Sequence, residues 1–321
     1  VLFRSNLRHN LDSAGKMLTV DADYAVYPSW GTQDFKATYF DAQGAPSSKL
    51  PEALHGDQTG LTDIKSIKAD YTHPLHKNAK LEAGLKMSYV TADNDLRFYN
   101  IIDNQNVPDP GKTYHFVYTE QINAAYMNYN REWDNWSVQI GLRTEQTMIH
   151  GNDKTADSTF SRSYVQPFPS FAVQRHLNAS HDLDITLSRR IERPNYEQMN
   201  PSKFYLDPTT YKAGYPFLNP ALSYSAELSH IYKQRLITTL NYTKTTAPLT
   251  EVIQPSPTES KVTIQTTKNL TSMDYIGVSG AYQFSFFKWW NNTTNFDIYY
   301  GHYTGDIAGA NLNAGRITYD C

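Results

Sequence analysis

The densest cationic cluster in the chain is Arg189, Arg190 and Arg193, within the run Ser188-Arg189-Arg190-Ile191-Glu192-Arg193-Pro194-Asn195-Tyr196. A guanidinium presents a planar fork of N–H donors that grips a carboxylate or phosphate at two points. The spacing therefore offers two chemistries. One is capture of an anionic group on a ligand or partner. The other is pairing with acids of the same molecule, which would pin the start of the long polar segment at 191–221. Arg143 and Glu145, two positions apart, share a face of any strand that carries them and read as a rung of a structural charge ladder. Other constellations carry less. His73 and His76 flank Pro74 with no Cys or carboxylate beside them to complete a metal site. Neither a G-x-S-x-G nucleophile turn nor a phosphate-binding glycine loop is present. The expectation is a protein that is not an enzyme and uses no cofactor. A net charge of -3 argues against a basic nucleic-acid-binding surface, and the one cysteine, Cys321, forms no internal disulfide.

The elements that position these residues are strands. Alternation with period two dominates the chain. Leu18, Val20, Ala22, Tyr24 and Val26 interleave with Thr19, Asp21 and Asp23, and Leu81, Ala83, Leu85, Met87 and Tyr89 interleave with Glu82, Gly84, Lys86 and Ser88. Val138 to Leu142, Leu183 to Leu187, Tyr224 to Leu228 and Leu236 to Tyr242 repeat the pattern. Several strands do not alternate cleanly: Tyr114 to Asn130 carries apolar residues in both phases, which leaves its facing open. The reading is an all-β chain with strands of about 9–12 residues, longer than the mean of about 5–6 in soluble proteins and close to the length that crosses a bilayer.

The links between strands are unequal. Short ones fall near Asp12–Lys16, Leu75–Ala79, Arg131–Asn135, Asn178–His181, Lys233–Arg235 and Phe286–Lys288, and long polar stretches near 28–62, 91–114, 149–162, 191–221, 246–260 and 304–310. Tight turns on one rim and long loops on the other are the mark of an up-and-down transmembrane β-barrel. Trp133, Trp136, Trp289 and Trp290 lie beside short links, where an aromatic girdle would meet the membrane–water boundary. Alternation alone does not choose between lipid and a second protein layer. The charge on the polar phase favours a barrel: Asp21, Asp23, Glu82, Lys86, Arg143, Glu145, Asp184 and Glu227 suit a wet or plugged lumen. On the lipid face a Lys or Arg at the midplane would cost about 2–4 kcal/mol. No run of apolar residues is long enough for a transmembrane helix. On this frame Arg190 points into the lumen and Arg189 outward, near the outer rim.

With the strands in place, the run from Ser188 to Tyr196 followed by Asn200-Pro201 resembles the signature of TonB-dependent receptor barrels of the outer membrane beta-barrel family. Ala69-Asp70-Tyr71-Thr72-His73-Pro74-Leu75, Ile122-Asn123-Ala124-Ala125-Tyr126, Gly141-Leu142-Arg143-Thr144-Glu145, and Asn219-Pro220 leading into Ala226-Glu227-Leu228-Ser229 extend the resemblance over nearly the whole chain. It implies a barrel of about 22 strands, plugged by an N-terminal domain and driven by TonB, in the outer membrane with lipid around it and an unidentified solute inside. About thirteen strands are legible here as one partial barrel domain over 1–321. No plug domain or TonB box is read ahead of residue 1, and Asp320-Cys321 lacks the terminal aromatic strand, so the expectation is part of a transporter. Arg143, Glu145, Arg190, Arg193, Tyr196, Asn200, Tyr205 and Tyr211 are the candidate lumen, plug or ligand contacts. Phe98, Tyr99, Phe204, Tyr215 and Phe217 join Tyr205 and Tyr211 as aromatics of the long loops, and the rigid segment 205–219, with Pro208, Gly214 and Pro216, is a candidate cap or plug contact. Two rivals remain: a structural or adhesive barrel that moves nothing, and a soluble all-β carbohydrate-binding module.

Two expectations follow from register and orientation. Leu85→Arg impairs assembly into membranes far more than Lys86→Leu, measured by heat-modifiable gel mobility; equal effects contradict the assigned faces. Protease added to intact cells cuts within 28–62 and 191–221, whereas cutting only after the outer membrane is opened inverts the topology.

Overall fold

The computed structural model describes residues 2–48, 51–76, 78–207, 209–256, 261–307 and 309–320, so Pro208 and Cys321 lie outside the described residues. The wall opens with β1 (Leu2–Asn10), β2 (Met17–Ala37), β3 (Glu52–His76) and β4 (Ala79–Ile102), with β5 (Gln105–Pro108) folded back on β4. It continues through β6 (Tyr114–Glu132), β7 (Trp136–Asp153), β8 (Ser158–Asn178) and β9 (His181–Glu192). A first excursion holds the single helical turn α1 (Tyr196–Met199), β10 (Phe204–Asp207) and β11 (Thr210–Lys212). The wall resumes as β12 (Ala221–Tyr232) and β13 (Leu236–Thr246). A second excursion carries β14 (Leu249–Pro255) and β15 (Thr263–Asn269), and β16 (Ser272–Phe287), β17 (Trp290–Ile307) and β18 (Ala310–Asp320) complete the wall.

The main sheet runs β1-β2-β3-β4-β6-β7-β8-β9-β12-β13-β16-β17-β18, each strand antiparallel to the next, which gives the thirteen-strand up-and-down wall read from the sequence. Among the described residues β18 is not paired with β1. The rows of paired residues climb around the wall. Leu81, two residues past the start of β4, shares a row through Tyr129, Ile140, Phe171, Leu187, Ala226, Tyr242 and Ile276 with Tyr300, ten residues past the start of β17. Such a stagger is the shear that tilts strands against a barrel axis.

The outward phase is apolar, and none of the described residues covers it. Leu85, Met127, Ile140, Leu142, Val165, Leu187, Leu228, Leu240, Ile276 and Ile317 are all exposed. In a soluble two-layer sheet this face would be buried. The well-buried side chains lie inside instead, with Phe98, Phe116, Leu96, Met199 and Leu218 below 2 % exposed. No helix among the described residues is long and apolar enough to cross a membrane. Strands do the crossing, and the ladders between neighbouring strands pair their backbone groups with one another instead of leaving them to lipid.

Two expectations are corrected. Strands are longer than about 9–12 residues: β3 has 25 and β4 has 24. At about 3.3 Å per residue that is far more than a bilayer needs, so these strands continue into water, where polar residues on both faces are tolerated. For the same reason much of the polar sequence at 28–62, 91–114 and 149–162 is strand extension, and 304–310 is a hairpin rather than a long loop. Phe98 and Tyr99 accordingly sit on β4, not in a loop. The links at 193–220 and 247–271 leave the wall and carry the short strands of a second sheet. Both spring from its low side, where β9, β12 and β13 have 12, 12 and 11 residues.

Candidate functional site

Residues facing each other across an antiparallel ladder share a side of the sheet, so the register sorts the wall into lipid and lumen faces. One lumen row reads Asn6, Asp21, Lys68, Lys86, Ala124, Glu145, Gln166. Adjacent rows bring in Asp23, Asp70, Glu82 and Arg143 on the same side. Arg4 meets Asp23 at 2.5 Å, and Lys68 meets Asp70 at 2.6 Å. The lumen is therefore a field of paired charge, as the polar phase implied. β6 resolves likewise: Phe116, Tyr118 and Tyr126 face inward, Ala125 and Met127 outward. Its inner face is apolar in the upper half because a folded segment packs there.

That segment begins at the arginine cluster. β8 and β9 pair only from Asn178↔His181 to Ser170↔Ser188. The next three residues of β8 toward its outer end, Pro169, Phe168 and Pro167, include two prolines, which have no N–H to offer a ladder. Arg189 replaces the missing bonds: its guanidinium binds the Pro167 carbonyl, donates to Gln166 Oε1 at 2.6 Å and to the Tyr224 hydroxyl at 3.0 Å, and lies over the Phe168 ring. Farther out, Arg162 of β8 takes the Leu218 carbonyl and the Asn219 side chain at the root of β12. Arg193 turns inward, binding the Glu145 carboxylate and donating to the Thr147 hydroxyl at 3.0 Å. Glu145 also holds Arg143. The structure thus joins Arg143, Glu145 and Arg193 in one cluster, with Thr147 fully buried beneath it. Arg190 stands apart, on the lumen face opposite Ser223, exposed and with no hydrogen bond or ion pair among the described residues.

Beyond Arg193 the chain makes one helical turn inside the wall. Asn195 accepts from Gln198 N and Gln198 Oε1 accepts from Asn195 N, both at 2.9 Å, a reciprocal cap. Tyr196 and Met199 sink against Ala92, Phe116, Tyr118 and Ile149. Burial raises the Tyr196 phenol above its ordinary range, so it stays protonated, and it accepts from Asn200 Nδ2 at 2.8 Å. The two excursions then build a four-stranded sheet, β10-β11-β15-β14, in which β11 and β15 run parallel. Tyr205 and Tyr211 are buried in it, packed with Leu96, Phe98 and Ile264, and Tyr205 meets the Phe98 ring edge-on at 5.6 Å. This sheet is a lid across the inner face of the tall wall. Gly214 latches it to α1, donating to Asn200 O while Tyr215 donates to Gln198 O, both at 2.7 Å. A Cβ at Gly214 would lie 2.5 Å from Gln198 O, so only glycine fits. Asn269 ties the roots of both excursions, donating to the carbonyls of Asn219 and Ala247. Between lid, α1 and wall is a cavity of about 400 Å³.

A one-sided apolar wall with a charged, lidded interior defines the class: a transmembrane β-barrel. Residues 9–320 match the Outer membrane protein beta-barrel family, and the chain belongs to that family. It is a protein of the cell outer membrane. The fold is that of the ferripyoverdine receptor of the outer membrane of Pseudomonas aeruginosa bound to ferripyoverdine (TM-score 0.59, 15% identity, 99% of this chain and 43% of that one). It is also that of the ferric citrate transporter FecA in the unliganded form (0.55, 12%, 99% and 42%) and of the ferric yersiniabactin uptake receptor FyuA from Yersinia pestis (0.51, 13%, 90% and 43%). The chain spans less than half the length of these proteins. No curated protein matches it by sequence.

Sequence reasoning named the arginines but not their acceptors. Arg162, Thr147 and Gln198 went unnoticed, although the cap Asn195…Gln198 was legible as a helix start, and Gly214 was singled out within the rigid segment 205–219 but not as the latch to α1. Arg193→Ala is expected to lower unfolding stability in detergent by about 1.5–3 kcal/mol, the worth of hydrogen bonds to a charged group, while Arg190→Ala changes it little. Urea titration followed by gel mobility measures both, and equal stability of Arg193→Ala and the parent protein would remove the anchor.

Proposed function

We propose that this chain is the wall and lid of a solute-uptake receptor, working with a plug domain and, through it, with TonB. The observation that carries this reading is the lid. A barrel that only displays loops has no use for two excursions folded into its own lumen, locked to the wall by Arg193 and Gly214 over a polar cavity. The likeness to receptors and transporters of ferric chelates supports the same reading. Arg190, free on the lumen face of the low wall, is the residue assigned to meet plug carboxylates, while Arg143, Glu145 and Arg193 serve the lid. Tyr196, Asn200, Tyr205 and Tyr211 shape the pocket beneath it. No catalytic step is assigned.

The test compares spent medium from three strains: parent, deletion of this gene, and parent lacking TonB. At least one medium component is expected to be depleted by the parent alone. A deletion that leaves every component's uptake unchanged and alters only surface attachment would replace the receptor with an adhesive barrel.

A further inference from the structure

The cavity beneath the lid has a chemistry of its own. Gln58 and Asn94 reach it from the tall wall, Gln198 and Asn200 from α1, and Gln265 from β15. Part of this capacity serves the protein: Gln198 Oε1 accepts from Asn195 N, Asn200 bonds the Tyr196 hydroxyl and Ser202 N, and Gln265 Nε2 donates to Glu251. Among the described residues the Gln58 carboxamide, the Gln198 amide nitrogen and the Gln265 carbonyl keep donors and acceptors, which is what a hydroxyl, itself donor and acceptor, requires of its partner. The Ser202 hydroxyl, also in this lining, is buried with no hydrogen-bond partner. Tyr114 and Phe204 add ring surface at the border.

Charge narrows the ligand further. Glu197 and Glu251 line the cavity against the single cation Lys212. An anion entering here would meet more like than opposite charge in a partly desolvated space, where such repulsion is felt. The three guanidiniums nearest the lid's roots, on Arg162, Arg189 and Arg193, are committed to protein acceptors.

We infer that the cavity binds an uncharged polyhydroxylated ligand, a sugar unit of a neutral glycan, with the carboxamides on its hydroxyls and the aromatic rings against its C–H face. This rests on the uptake reading and names its substrate class.

The test uses the full-length receptor purified in detergent, titrated by calorimetry with short neutral glucan, xylan and mannan oligosaccharides, and with acidic galacturonan oligosaccharides, ferric citrate and a tripeptide pool. A neutral oligosaccharide is expected to bind. Gln58→Leu and Gln265→Leu are expected to weaken it by about tenfold or more, as loss of a buried hydrogen-bond partner should, with normal heat-modifiable mobility showing that the barrel still folds. Binding of no neutral oligosaccharide overturns the inference, as does preference for the acidic sugar, ferric citrate or tripeptides, or binding that both variants leave unchanged. The two proposals fail separately. Gene- and TonB-dependent depletion of the medium without glycan binding rejects the ligand class and keeps the receptor; glycan binding without any such depletion does the reverse.

Discussion

Hydrocarbon offers no hydrogen bonds, and the rest of this structure depends on that. Every backbone N–H and C=O at membrane depth must be paired within the sheet, and every side chain pointing outward must be apolar. The antiparallel ladder meets the first demand for the strands between β1 and β18, and the exposed Leu85, Ile140, Leu187, Leu240 and Ile276 meet the second. Period two then sends the opposite phase inward, where charge is tolerated because it can be paired or wetted. The charged lumen is therefore a consequence of the lipid face as much as a feature in its own right.

Where the ladder falters, side chains take over. Pro167 and Pro169 deprive the outer half of β8 of donors, and the sheet parts there from β9. Arg189 closes the near end of the gap and Arg162 the far end, each using a guanidinium on a backbone carbonyl that no strand reaches. Arg193 performs the complementary task on the inner side, where Glu145 would otherwise be a buried carboxylate with only Arg143 for company. A cluster that looks from its spacing like an anion trap is, for two of its three members, occupied by the protein itself. Among the described residues Arg190 is the member of the cluster that makes no hydrogen bond or ion pair.

The difference in height between the two sides of the wall has its own consequence. Strands β2 to β8 run on into water, while β9, β12 and β13 stop short. The chain leaving those short strands meets the inner face of the tall side, where Leu96, Phe98, Phe116 and Ile149 are apolar although they face the lumen. Burying Tyr196, Met199, Tyr205 and Tyr211 against that face removes apolar surface from water, which makes the lid a second, small core inside the first.

The sequence by itself determined the strands, their two faces, the short rim and the family, because lipid imposes a local rule that is readable two residues at a time. The charges of the polar phase, from Asp21 to Glu227, fell on the lumen side as that rule requires. It did not determine where strands end in water, since past the membrane the rule relaxes and polar extension looks like loop, as at 28–62. Nor did it decide what Arg189 and Arg193 bind. Their acceptors, Pro167 and Glu145, lie 22 and 48 residues away, and only the register of β7, β8 and β9 and the turn of chain into the lumen bring them within reach. The parallel pairing of β11 with β15, across 53 residues from Thr210 to Thr263, was decided at the same level. Contacts of that span leave no periodic trace, because they depend on which loops rise from the low wall and which inner surface stands opposite.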